Sequence, residues 1–281
     1  MATKSKFVKY IDTTKCHGCR GCMITCKNWN DLPGDAEEFH GIQSHAALTA
    51  DTWNYIAYVE KENKDINSGV DWFIGHKSCL HCTQASCEKV CPEGAISHHE
   101  ETRAVLIDHE KCTGCGYCVA ACQFDVIALG NRKVDGEEKT VASKCTLCQD
   151  RLDNGLEPAC VAGCPNDSLE FGERDAIVAK AKERLATVKD RYPNANIYDM
   201  SALDDGATVY LFGDKPSTYG YPDDPKLPTA QVVWKDYALP FGKVLMGATA
   251  MAVVAGVVSN KLFNPRVKKG GDSHANVSKH E

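Results

Sequence analysis

The chain has no glycine-rich phosphate loop, no G-x-G-x-x-G dinucleotide fingerprint, no catalytic triad and no pair of carboxylates set out for acid–base work. Nucleotide-driven, nicotinamide-dependent and hydrolytic chemistry therefore find no support in its own residues. A positive charge excess is missing too. With 32 Lys and Arg against 38 Asp and Glu the formal charge is -6, which argues against nucleic acid as a partner. Residues 1–15 hold neither an apolar core nor a twin arginine, so the chain is expected to carry no export signal of its own. Disorder is not the default reading, because 43% of the 281 residues are hydrophobic, enough for a real core. Solitary cysteines are also absent: all sixteen fall into four tight quartets.

The third quartet, Cys112, Cys115, Cys118 and Cys122, follows C-x2-C-x2-C-x3-C, the spacing by which bacterial ferredoxins hold [4Fe-4S] clusters. The first, Cys16, Cys19, Cys22 and Cys26, repeats it. The second is Cys79, Cys82, Cys87 and Cys91, with a longer middle loop, and the fourth is Cys145, Cys148, Cys160 and Cys164, with the longest. A disulfide framework would scatter its cysteines over distant loops. Structural zinc needs only pairs of C-x2-C hooks, so a third and fourth cysteine per run are surplus to it, and a zinc-binding scaffold stands as the alternative of a different class. Gly18, Gly21, Gly114 and Gly116 relieve the backbone where thiolates must converge. Cys91-Pro92 and Cys164-Pro165 repeat the C-P ending of the ferredoxin run, whereas Cys26 and Cys122 lack the proline. In two-cluster ferredoxins the fourth cysteine of a run ligates the neighbouring cluster, so each run calls for a partner run. His17 is expected to be solvated or hydrogen-bonded rather than a ligand, since the thiolates already complete the set, and His98, His99, His274 and His280 are expected to be solvated rather than to bind metal. Lys15, Lys27, Lys111 and Lys144 flank the runs, where positive charge would favour a reduced cluster.

Between the runs, residues 7–11 read as a strand, and residues 29–78 as a cysteine-free insertion in which 53–59 and 70–74 form a hairpin over the cluster core. Residues 105–107 and 126–129 read as further strands, and 130–138 as a charged turn around Asp135-Gly136. The eleven residues from Gln149 to Ala159 should be a covering loop. Apolar positions at helical spacing predict an amphipathic helix over 173–192, followed by a strand at 209–212 and an irregular arm over 213–228. Residues 244–259 are apolar or small without charge, and extension to 241–263 reaches the length of a bilayer span.

This constellation resembles the iron-sulfur β-subunit of membrane-bound formate dehydrogenase, within the wider family of four-cluster subunits serving molybdenum and tungsten oxidoreductases. The likeness covers nearly the whole chain. Its more specific stretches are residues 28–32, Gly114-Cys115-Gly116-Tyr117-Cys118, Glu157-Pro158-Ala159-Cys160, 192–199 and 221–225. Related nitrate reductase subunits carry tryptophan at the position of Cys115 and hold a three-iron cluster there. Here the residue is cysteine, so the resemblance implies four [4Fe-4S] clusters.

The resemblance further implies an α+β fold of two pseudo-symmetric ferredoxin-like modules with an inserted β-hairpin region, a C-terminal extension and one C-terminal transmembrane helix. The corresponding divisions are 1–172 for the four-cluster domain with its 29–78 insertion, 173–236 for the extension, 237–263 for the membrane helix and 264–281 for a polar tail. It pairs the first run with the fourth and the second with the third. The implied ligand sets are Cys16, Cys19, Cys22 and Cys164 (set A); Cys26, Cys145, Cys148 and Cys160 (set B); Cys79, Cys82, Cys87 and Cys122 (set C); and Cys91, Cys112, Cys115 and Cys118 (set D). The chain would have no catalytic residue. It would carry electrons from a catalytic molybdenum or tungsten pterin α-subunit to a membrane cytochrome b γ-subunit and quinone; a hydrogenase or another molybdoenzyme is the alternative partner. Lys261, Arg266, Lys268 and Lys269 follow the apolar run, so the tail is expected in the cytoplasm and the cluster domain in the periplasm, anchored in the inner membrane lipid and exported with a signal-bearing partner.

Overall fold

A computed structural model describes residues 4–35, 42–63, 67–203, 205–227, 249 and 251–255. The chain forms two units, Met1–Val232 and Val233–Glu281.

The first unit is built around strand β1, Phe7–Asp12, in which alternate side chains serve opposite faces of the sheet. Val8 and Tyr10 pack on helix α6, Arg174–Val188, together with Ile177, Ala181 and Val188. Ile11 joins the core on the other side, beside Cys22, Cys160, Tyr210 and Phe212. Strand β10, Thr208–Phe212, runs parallel to β1, with Lys9 opposite Thr208. Strand β8, Leu169–Glu173, pairs antiparallel with β1, and β9, Asn196–Tyr198, with β10, giving the order β8-β1-β10-β9. Strands from both sides of residue 172 thus share one sheet. β10 is buried along its whole length, and each fully buried Val, Leu or Phe adds about 1.5–3 kcal/mol. Helix α6 ends at Val188, earlier than the sequence pattern suggests, and β9 begins at Asn196.

The insertion forms the hairpin β2, Asn54–Glu62, and β3, Val70–Ser78, both longer than the apolar pattern suggests. Asp35 pins the start of the insertion by accepting hydrogen bonds from Lys27 and Thr52 at 2.6 and 2.7 Å and from Thr49. Burial alone would raise the Asp35 pKa, but these donors hold it well below the carboxylate range.

Two small ribbons follow. β4, Ile96–His98, pairs with β5, Val105–Ile107, and β6, Ala128–Val134, with β7, Glu137–Ser143. The expected strand at 126–129 and charged turn at 130–138 need correction: the strand starts at Ala128 and runs on to Val134, and only Asp135-Gly136 turns. Charged Arg132 and Lys133 sit comfortably in a ribbon whose exposed and half-buried residues alternate. The covering loop over 149–159 is also partly helical, with α4, Gln149–Asp153, inside it and α5, Ala159–Ala162, at its end.

Of the second unit, residue 249 and residues 251–255 are described; they are helical, with Met251, Val253 and Val254 largely exposed. Among the described residues no helix is long and apolar enough to cross a membrane. Most of the expected span at 237–263 and the whole tail, with His274 and His280, lie outside the described residues.

Candidate metal centres

Four short helices carry the later cysteines of the runs in one register. Cys22 is the second residue of α1, Gly21–Trp29, and Cys160 the second of α5; Cys87 and Cys118 hold the same place in α2, Ser86–Val90, and α3, Tyr117–Ala121. The fourth cysteine of each run, at 26, 91, 122 or 164, comes four residues later, about 6 Å further along a helix axis. α1 packs against α5 and α2 against α3. The approach of α1 to α5 is close: a Cβ on Gly21 would lie 2.7 Å from the Gly163 carbonyl oxygen.

These packings bring the thiols together across runs. One cavity is lined by Cys16, Cys19, Cys22 and Cys164, a second by Cys26, Cys145, Cys148 and Cys160, and a third by Cys91, Cys112, Cys115 and Cys118. Cys79, Cys82, Cys87 and Cys122 form a fourth group, in which Cys82 lies within electrostatic reach of the other three. Each group therefore gathers the four residues of one expected set.

The thiols face a shared space rather than a shared point. Among the described residues no group of three or more His, Cys, Asp or Glu side chains is drawn together tightly enough for a single metal ion, whereas a zinc site holds its four ligands within about 2.3 Å of one centre. A larger thiolate-bound group such as an iron-sulfur cube suits the donor set better. Main-chain N–H groups already point at sulfur: His81 to Cys79 at 3.4 Å, Ala95 to Cys91 at 3.3 Å, Ala142 to Cys112 at 3.4 Å and Leu147 to Cys145 at 3.3 Å. Such bonds tune iron-sulfur ligands. His76, 1% exposed, lines the set B cavity with both ring nitrogens lacking a partner among the described residues. Burial pushes the thiols up, Cys148 to about 12 and Cys160 to about 11, so a bound metal has to displace protons from them.

The loop geometry is uniform as well. The residue two positions after the first cysteine of every run has positive φ: Gly18 at 75°, His81 at 49°, Gly114 at 67° and Leu147 at 58°. Glycine meets this freely in the first and third runs. His81 and Leu147 bear strain of about 1–3 kcal/mol each, held by burial at 0 and 1% exposure and by the Val105 N–H donated to His81 Nδ1 at 3.0 Å. The sequence holds no signal for these two.

His17 is exposed, as expected, and bonds to Asn166. His98 is not solvated: its ring is 5% exposed and bridges Glu88 at 2.9 Å and the Cys82 carbonyl at 2.9 Å. His99 is half-buried, 3.3 Å from the Thr102 hydroxyl. The four flanking lysines divide. Lys15, Lys27 and Lys111 are paired with Glu170, Asp35 and Asp108 at 3.5, 2.6 and 2.9 Å. Lys144 is buried and bonds instead to the carbonyls of Val105 and Cys145. Lys9, which lines the set B cavity, was not foreshadowed by any motif.

Comparison with known proteins agrees with the donor chemistry. Residues 15–95 and 70–174 each match a 4Fe-4S dicluster domain family. Both matched spans are contiguous, while two of the three cavities join the first run with the distant fourth. The chain is 34% identical over 278 residues to the formate dehydrogenase iron-sulfur subunit of Haemophilus influenzae, covering 96% of this chain and 85% of that protein. It is 35% identical over 257 residues to the formate dehydrogenase-O iron-sulfur subunit of Escherichia coli, covering 89% and 82%. Over 172 residues, 61% of this chain and 78% of the relative, it is 37% identical to a thiosulfate reductase electron transfer subunit of Salmonella typhi. With quartets in register, thiols grouped by fours and likeness along nearly its full length, the chain belongs to the formate dehydrogenase iron-sulfur subunit family.

Proposed function

We propose that this chain is the electron-transfer subunit of a formate-oxidising complex, holding four [4Fe-4S] clusters on sets A, B, C and D. The observation that carries the reading is the grouping of sixteen cysteines into four sets with a linear order. α1 and α5 connect A with B, and α2 and α3 connect C with D. Lys9 lies within electrostatic reach of Cys145 and Cys160 of set B and of Cys79 of set C. Bound in the sets, the clusters supply one-electron redox chemistry. The protein contributes spacing, insulation and exits. Sets A and D each hold one exposed thiol, Cys19 and Cys115, while every thiol of B and C is buried or half-buried. Exposed Ile24 and Trp29 on α1, and Tyr117 and Leu129 beside set D, offer apolar surface where redox partners would dock. Those partners are a catalytic subunit with a molybdenum or tungsten pterin and a membrane cytochrome b that passes electrons to quinone.

The test is anaerobic purification of the complex, with about sixteen iron atoms and equal sulfide expected per chain, followed by Cys26→Ser. The substitution should disturb the electron paramagnetic resonance signal of set B and leave that of set A intact. Iron near twelve, or a disturbed set A, would reject the ligand scheme. The likeness to a thiosulfate reductase subunit favours a second reading, in which the large subunit acts on another substrate. Identification of the co-purifying large subunit and assay of formate-dependent quinone reduction separate the two.

The reading includes a membrane anchor over residues 237–263, with the cluster domain in the periplasm and the tail in the cytoplasm. Its supports are the uncharged run 244–259, the helical and exposed apolar residues Met251, Val253 and Val254, and the basic flank from Lys261 to Lys269. Protease added to intact spheroplasts should digest the domain before Tyr237 and spare the tail; protection of the domain until lysis would reject this topology.

A further inference from the structure

Two lysines are buried in the interior without a carboxylate. Lys9 is 1% exposed and Lys144 3%. Lys9 Nζ donates to Ser78 Oγ at 2.8 Å, and Lys144 Nζ to the Val105 carbonyl and, at 2.9 Å, to that of Cys145. Among the described residues neither forms an ion pair. An ammonium in such a place is strongly disfavoured unless other negative charge compensates it. The nearest candidates are cysteines. Lys9 lies within electrostatic reach of Cys145, Cys160 and Cys79, and Lys144 within that of Cys87. Both cations therefore stand where sets B and C meet.

The outer sets are furnished differently. Set A is lined by Arg20, which is half-buried and is engaged by the Ile42 carbonyl and the Tyr58 ring. The lining of set D contains Glu93 and no cation. Each outer set has an exposed thiol, so water can screen the charge gained on reduction. The interior sets lack that help, and burial disfavours the more negative, reduced state.

We propose that Lys9 and Lys144 are fixed counter-charges that allow the two interior clusters to accept an electron, so that the middle of the relay is no barrier. This inference rests on the four-cluster reading above. It makes both lysines positioning residues, acting on the clusters through charge alone.

The experiment is an electron paramagnetic resonance redox titration of the purified complex carrying Lys9→Met or Lys144→Met. Lys9→Met should weaken reduction at set B at least tenfold, which is 59 mV for a one-electron couple, and Lys144→Met should do the same at set C. Sets A and D should move less than threefold. Ser78→Ala, which removes the acceptor and keeps the charge, should also move set B less than threefold. So should Lys27→Met, which is next to Cys26 in sequence but removes a lysine already paired with Asp35. Full iron content with unchanged potentials in both methionine variants would overturn the inference. Where a variant loses iron, the unmodified complex decides: interior signals, assigned through Cys26→Ser for set B and Cys122→Ser for set C, should reduce no more than tenfold harder than the outer ones, and a larger gap overturns the proposal. Absence of iron from the unmodified complex would end the four-cluster reading itself.

Discussion

The half of the first unit that carries the first and fourth cysteine runs leans on a four-stranded sheet, with the fifteen-residue α6 packed on its far face. The half with the second and third runs has only the ribbons β4-β5 and β6-β7, the first of them three residues per strand. Isolated two-stranded ribbons are marginal in water. The contrast shows two ways of holding eight thiols, since each half carries eight of the sixteen. In the first half the polypeptide supplies a core of its own, including Val8, Tyr10, Val209 and Leu211. In the second the ribbons rest on the common core through Ile96, Val105, Val141 and Ala142, beside Cys79, Cys112 and Cys118, so a group held by these thiols would complete that core and its binding would be coupled to folding.

Removal of the metal should break the comparison most visibly. After anaerobic chelation, amides of β4 to β7 should exchange about a hundredfold faster or more, while those of β1, β8 and β10 stay within about tenfold. Hydrogen exchange with mass spectrometry reads this directly, and a uniform loss across both halves would refute the distinction. A smaller effect is expected from Gly114→Ala. Its φ is +67°, and a Cβ would sit 2.5 Å from the Thr140 carbonyl oxygen on β7, so the backbone itself must give way. A loss of about 2–3 kcal/mol, with iron falling by about a quarter, follows from that strain. Gly136→Ala sharpens the point at the smallest scale. Gly136 has φ +86° at the turn of the same ribbon but nothing within 4 Å, so only the conformational cost of about 1 kcal/mol applies. Equal denaturation midpoints for the two variants would show that the approach of the Cys112 loop to β7 carries no weight.

The candidate site was legible because its chemistry is written in spacing. Sixteen cysteines, the glycines at 18 and 114 and the prolines at 92 and 165 announce thiolate loops without reference to any distant contact. The grouping across runs came through a family likeness, since nothing in local spacing states which helix packs on which. Lys9 stayed hidden for a different reason. In Phe7–Asp12 it alternates with Val8 and Tyr10, the pattern of a strand with one wet face, but this sheet is covered on both sides. His81 and Leu147 were invisible because side chains rarely adopt positive φ and only packing makes them do so. In the β6-β7 ribbon Arg132 and Lys133 imitate a turn, which hides the strand from a reading of sequence alone.

The pairing of β1 with β10 also has a consequence in time. Lys9 emerges early from the ribosome and its neighbour Thr208 close to two hundred residues later. At 5–20 residues per second, roughly 10–40 s of translation separate them. Set A likewise waits for Cys164. During that interval the newborn chain exposes both edges of β1 until β8 is made, then the edge that β10 will fill, together with runs of uncapped thiols, the condition in which a chaperone has most to protect and premature metal loading most to spoil. Closure of the sheet and completion of set A therefore come late in synthesis, once Cys164 and β10 have emerged.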